Sequence, residues 1–147
     1  MQAGGLKCPV EPRLRDDIWI KLMGNAALNP ISASTRATMV EICQHPNTRR
    51  VVELMMEETL DIAARLGSHP EISITKRLDG AERVGHHRTS MLQDLEAGRE
   101  LELAIVGAVV ELADITCADT PTLRTVYAAT HLLCQSASQP ALTAARA

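Results

Sequence analysis

Residues 19–30 read WIKLMGNAALNP. Lys21, Asn25 and Asn29 stand four residues apart. Four residues advance an α-helix by about 400°, so the three side chains drift only about 40° per step and share one stripe. Trp19, Leu22, Met23, Ala26 and Leu28 take the other sides. The segment reads as a helix that is apolar around most of its circumference and carries one polar stripe. Buried ammonium and amide groups are costly without partners, so the stripe faces either water or a polar ligand. Pro30 disfavours helical geometry at Asn29, which predicts a break or kink where the stripe ends.

Working outward, the first helix is expected from about Leu14 to Asn29, followed by a short piece from Ala33 to Cys43. Pro46 suits the first turn of the next helix, with His45 or Asn47 near its cap. In that helix Val51, Met55, Ile62 and Leu66 recur at helical spacing, Asp61 can pair with Arg65, and Gly67 supplies a stop. Glu71 to Val84 reads as a further helix ended by Gly85. In TSMLQDLEAG, Ser90 and Gln93 have capping-box spacing and Gly98 closes a short helix. Leu101 to Ile115 reads as an apolar helix in which Gly107 lets another backbone pack closely. Thr120-Pro121 is a cap and first-turn proline that open a last helix to about Gln135. No period-2 strand of useful length appears. The fold class is therefore all-α, a bundle of about six to seven helices. Residues 1–13, with Gly4, Gly5, Pro9 and Pro12, read as a linker or tail, 14–135 as the helical domain, and 136–147 as a second tail.

Composition narrows the function classes. A chain of 147 residues with 46% hydrophobic and 22% charged residues suits one globular domain. The formal net charge of −3 and the lack of a basic run argue against a phosphate-backbone binder. With no Phe, one Trp and one Tyr, base-stacking platforms are nearly excluded, and the core must come from Leu, Val, Ile, Ala and Met. Cys8, Cys43, Cys117 and Cys134 include no CxxC pair and follow no secretory signal, which points to reduced thiols and a cytoplasmic location. The apolar run Leu103 to Val110 is far short of the ~20 residues a membrane helix needs. His86 and His87 point to different faces of any regular element, and no histidine stands in a zinc pattern, so no metal is expected.

The residues that could carry chemistry have bland readings too. Lys21 suits a solvated helix face; partly buried, an ammonium could donate a proton or grip an oxyanion. Asn25 and Asn29 could be solvent-facing amides, yet with Lys21 they offer a cation and two amides in a row, suited to a small ligand rich in oxygens. N-capping alone explains Ser90, although a free hydroxyl at a helix start also suits a carboxylate. Glu102 reads as a first-turn acid, or as a carboxylate that orients a catalytic lysine or contacts a cofactor. Met55 and Met56 are expected in the core.

Taken in order, Trp19-x-Lys21-x-x-x-Asn25-x-x-x-Asn29-Pro30, then Thr89 to Asp94, Gly98, Glu102 and Thr120-Pro121 resemble the C-terminal domain of 2-dehydropantoate 2-reductases, the ketopantoate reductases. The resemblance covers about Leu14 to Cys134. It implies a fold like the C-terminal domain of 6-phosphogluconate dehydrogenase, and an enzyme that passes hydride from NADPH to the ketone carbon of ketopantoate, giving pantoate for pantothenate and coenzyme A synthesis. By resemblance, Lys21 matches the general acid, Asn25 and Asn29 the substrate-contacting amides, Ser90 the hydroxyl that holds the substrate carboxylate, and Glu102 the acid that contacts the cofactor or the lysine. Met39 falls where some members place a polar residue. The family also has an N-terminal Rossmann domain for NADPH, and no GxGxxG after a strand occurs here. The chain is thus expected to be inactive alone and to need a Rossmann domain in cis or in trans. The competing expectation is a non-catalytic module that uses the fold for self-association, since a face made to meet the Rossmann domain would also serve a homodimer.

Overall fold

A computed structural model of the chain describes residues 12–138. These form seven helices and no strand: α1 Leu14–Thr35, α2 Met39–Gln44, α3 Pro46–Arg65, α4 Ile74–Arg83, α5 Ser90–Glu96, α6 Ala104–Thr116 and α7 Pro121–Ser138. The expected all-α bundle is what the chain forms. The segments 1–11 and 139–147, with Cys8 and most of both expected tails, lie outside the described residues.

Helix α1 is the axis of the bundle and packs on α3, α5, α6 and α7. Trp19, Met23, Ala26, Ala27, Leu28 and Ile31 enter a core shared with Val52, Met55, Met56 and Ile62 of α3. Met55 and Met56 are both fully buried, as expected. A second cluster joins Ala33 of α1 to Met91, Leu101, Leu103 and Val106.

The expected end at Asn29 is incorrect: α1 continues through Pro30 to Thr35. An interior proline costs roughly 3 kcal/mol of helix stability. The following turn offsets this, because Ile31 and Ala33 are buried and the buried Ser32 hydroxyl donates to the Ala37 carbonyl at 2.7 Å. The short piece expected from Ala33 to Cys43 is accordingly split between the end of α1 and α2.

Helix α3 starts and stops where its sequence signals stand. His45 Nδ1 accepts from Thr48 N, Pro46 is in the first turn, Arg65 pairs with Asp61 at 2.8 Å, and Gly67 follows with φ 76°. The same helix holds two of its neighbours by their ends. Glu58 accepts from Thr122 N at 2.9 Å and from Leu123 N at 2.7 Å, at the start of α7. Arg65 donates to the carbonyls of Thr116 and Cys117, at the end of α6. An anion thus meets a positive helix end and a cation a negative one. The expected Thr120 side-chain cap is not formed: its buried Oγ1 has no partner. Glu58 does that work from another helix.

Other boundaries move for local reasons. Helix α4 begins at Ile74, with the Ser73 hydroxyl accepting from Lys76 N, because Glu71 and Ile72 are still leaving Pro70 in a tight turn. Helix α6 begins at Ala104, because Leu101 and Leu103 pack into the second cluster ahead of it. Gly107 admits the Tyr127 side chain, whose hydroxyl would stand 3.3 Å from a Cβ there, and not a backbone. The last helix runs past Gln135 to Ser138.

Glu41 in the first turn of α2 accepts from the Thr38 hydroxyl at 2.6 Å and the Thr38 N–H at 2.7 Å. The hydroxyl first, and the backbone N–H second, hold its carboxyl below the usual carboxylate range. A depressed folded-state pKa gives stability that is present above the unfolded value and is lost as pH falls through the folded one. Thr38→Val is expected to raise the Glu41 midpoint toward the ordinary value, read by carbon NMR titration. An unchanged midpoint would contradict the hydroxyl's role.

Candidate functional site

The polar stripe of α1 lies on the side that the core leaves open. Asn25 and Asn29 are half-buried, while the residues that flank them, Gly24, Ala26, Leu28 and Pro30, are buried. Both asparagines line a cavity of about 260 Å³ closed by Met39 of α2, Arg77 of α4, and His87 and Ser90 around the start of α5. A smaller hollow of about 40 Å³ shares Asn25, Asn29 and Ser90 and is closed by Asp94, Glu102 and Val106. The two hollows flank one wall of two amides and a hydroxyl. Their charges differ: the first has a guanidinium and no acid, the second has two carboxylates and no base.

The expected site residues Asn25, Asn29, Ser90 and Glu102 therefore meet in space. Lys21 stands one turn before Asn25 on the stripe, is exposed, and lines neither hollow. Its ammonium is not the partly buried group that the sharper sequence reading required. Ser90 is the first residue of α5 and not its cap; Thr89 is the cap, its hydroxyl accepting from Leu92 N at 3.2 Å. Gln93 bonds the Arg88 carbonyl at 2.9 Å, so the expected Ser90–Gln93 box does not form. With Thr89 holding the helix, the exposed Ser90 hydroxyl has no part in the cap. Glu102 precedes α6 instead of lying in its first turn, is exposed, and makes no ion pair with Lys21.

Sequence reasoning missed Arg77 and His87. Arg77 lies against Gly24, where an added Cβ would stand 2.8 Å from Nη2. A glycine inside an otherwise good helix was the available signal of a close approach. A wider depression of about 570 Å³ lies on the far side of Glu102, walled by Leu101, Leu103, His131 and Cys134. It is the larger concavity, and Glu100, His131 and Gln135 add polar groups to its lining, but of the stripe and its companions it includes only Glu102. Among the described residues no helix is long and apolar enough to cross a membrane.

Comparison with known proteins defines the class first. Residues 13–133 match the family described as the ketopantoate reductase PanE/ApbA C-terminal domain. The chain belongs to that family. It is 44% identical over 129 residues to a 2-dehydropantoate 2-reductase of Mesorhizobium japonicum, covering 87% of this chain and 40% of the relative. It is 32% identical over 127 residues to the one of Archaeoglobus fulgidus, covering 84% of this chain and 43% of the relative. A crystal structure of 2-dehydropantoate 2-reductase from Methylococcus capsulatus superposes with a TM-score of 0.80 at 30% identity, over 86% of this chain and 45% of that one. The chain spans about 40% of the length of the curated relatives it matches.

Proposed function

We propose that this chain is the substrate-binding and proton-donating domain, residues 14–135, of an NADPH-dependent 2-dehydropantoate 2-reductase acting in the cytoplasm on ketopantoate or a close 2-oxo acid. The observation that carries the reading is the convergence of Asn25, Asn29 and Ser90 on one wall, with Glu102 and Asp94 beyond it.

In this reading the two amides and the Ser90 hydroxyl orient the 2-oxo acid. Asn side chains supply donors and acceptors together, which suits a substrate that carries both carbonyl and hydroxyl oxygens. Lys21 sits at the open end of the stripe and gives a proton to the C2 oxygen as it becomes an alkoxide. The described residues contain no strand, hence no strand–turn–helix cradle of the kind that holds a dinucleotide. NADPH supplies the hydride from a Rossmann domain in cis or in trans, and Glu102 is the residue through which this chain would touch it. Support for a second wall comes from α1 itself. Leu14 and Ile18, 59% and 49% exposed, fall on the same helical face as Lys21 and Asn25. An apolar surface there, beside the ammonium, suits a covering domain that also excludes water from the proton transfer. The same two side chains favour the second reading, a non-catalytic module that associates through this face.

The asparagines provide the test, because the chain has three, Asn25, Asn29 and Asn47. Titrating ketopantoate into the labelled chain is expected to move the side-chain amide NMR signals of Asn25 and Asn29 and leave Asn47, exposed at the start of α3, in place. Stationary Asn25 and Asn29 signals would favour the association module.

A further inference from the structure

We propose that Arg77 is the carboxylate anchor of the cavity, so that a 2-oxo acid lies across Asn25, Asn29 and Ser90 with its anionic end toward α4. The inference rests on the reading of this cavity as a 2-oxo-acid site and adds a residue and an orientation to it.

Arg77 is unlike most arginines of the bundle. Arg49, Arg65, Arg99 and Arg124 each pair with a carboxylate at 3.1 Å or less. Among the described residues no carboxylate pairs with Arg77, and its buried Nε has no hydrogen-bond partner. A guanidinium with an unmatched buried donor and no carboxylate partner is costly to hold, and an anion in the cavity that Arg77 lines would offset that cost through its other N–H groups. The guanidinium reaches this place because Gly24 has no side chain, which lets it lie against the α1 backbone. It then shares the 260 Å³ cavity with Ser90, Asn25 and Asn29. No Asp or Glu lines that cavity, whereas Asp94 and Glu102 line the hollow on the other side of the same wall. A bound monocarboxylate is repelled from the acidic side and attracted to the basic one. The planar fork of an arginine holds both carboxylate oxygens, and Ser90 adds a neutral donor. The polarity of the wall thus fixes which way round a 2-oxo acid sits, with its carbonyl over the amides.

The test is a titration of the chain followed at the Arg77 Nε–H NMR signal and at the Asn25 and Asn29 amides, the arginine signal being assigned with Arg77→Lys. Ketopantoate is expected to move all three. Ketopantoyl lactone, which has the same carbon skeleton without the charge, is expected to leave the Arg77 signal in place. Arg77→Met is expected to weaken ketopantoate by roughly 10- to 100-fold, the loss typical of a hydrogen bond to a charged group, and to change lactone binding little. Movement of the asparagine amides with a still Arg77 signal, or unchanged ketopantoate affinity in Arg77→Met, overturns the anchor and leaves the proposed function standing. Movement of Arg77 with acetate, and of neither amide with ketopantoate, overturns both the proposed function and the orientation across the amides.

Discussion

In a fusion of this chain to the dinucleotide-binding domain of the Mesorhizobium japonicum relative, Lys21→Ala is expected to lower kcat with ketopantoate by about 10²- to 10⁴-fold, the usual worth of a positioned general acid. That is about 3–5 kcal/mol of transition-state stabilisation. The ketone oxygen becomes an alkoxide as hydride arrives, and without a proton donor that charge must be met by water. Lys21→Arg separates the roles. A guanidinium keeps the positive charge but does not give up a proton near neutral pH. It is therefore expected to preserve KM better than alanine does, while kcat stays as low. Lys21 is exposed and makes no ion pair here, so neither substitution is expected to change the unfolding midpoint by more than a surface substitution does, within about 0.5 kcal/mol. A kcat within tenfold of the parent in Lys21→Ala would remove the general-acid role.

The second large effect concerns stability. Glu58→Ala is expected to cost about 2–4 kcal/mol, because two charge-assisted hydrogen bonds to Thr122 N and Leu123 N disappear together and the first turn of α7 loses the side-chain acceptor that α3 supplies. Leu123 is fully buried, so its N–H has little access to replacement water. Glu58→Gln keeps an acceptor but loses the charge that suits a helix N-terminus, and is expected to cost about half as much. Urea unfolding would show a lower midpoint at unchanged m-value. A loss below about 0.5 kcal/mol, the range of ordinary surface substitutions, would show that Thr120 or solvent takes over the cap.

What the sequence discloses and what it withholds follow one physical division. Helix α3 was readable at both ends because its signals are local: His45 and Pro46 at the start, Asp61–Arg65 and Gly67 at the stop. The stripe of Lys21, Asn25 and Asn29 was readable because helical spacing alone puts those side chains on one face. The continuation of α1 past Pro30 was not, since it depends on the burial of Ile31 and Ala33 by elements far along the chain. The capping of α7 went the same way. Thr120-Pro121 is a sound local signal, and a carboxylate 64 residues earlier in the chain takes the role instead. At the start of α5 two adjacent hydroxyls compete, and spacing to Gln93 favoured Ser90 where the backbone uses Thr89. Arg77 belongs to the withheld part. Nothing near it in sequence marks it; only the approach of its side chain to Gly24 does.

The central claim is that this chain contributes the substrate side of a ketopantoate reductase. NADPH oxidation with ketopantoate tests it most directly, run on this chain alone and on its fusion to the relative's dinucleotide-binding domain. The account predicts silence from the chain alone and ketopantoate-dependent oxidation, with pantoate as product, from the fusion. Turnover by the chain alone, or a folded fusion that binds NADPH and leaves ketopantoate unreduced, would contradict it.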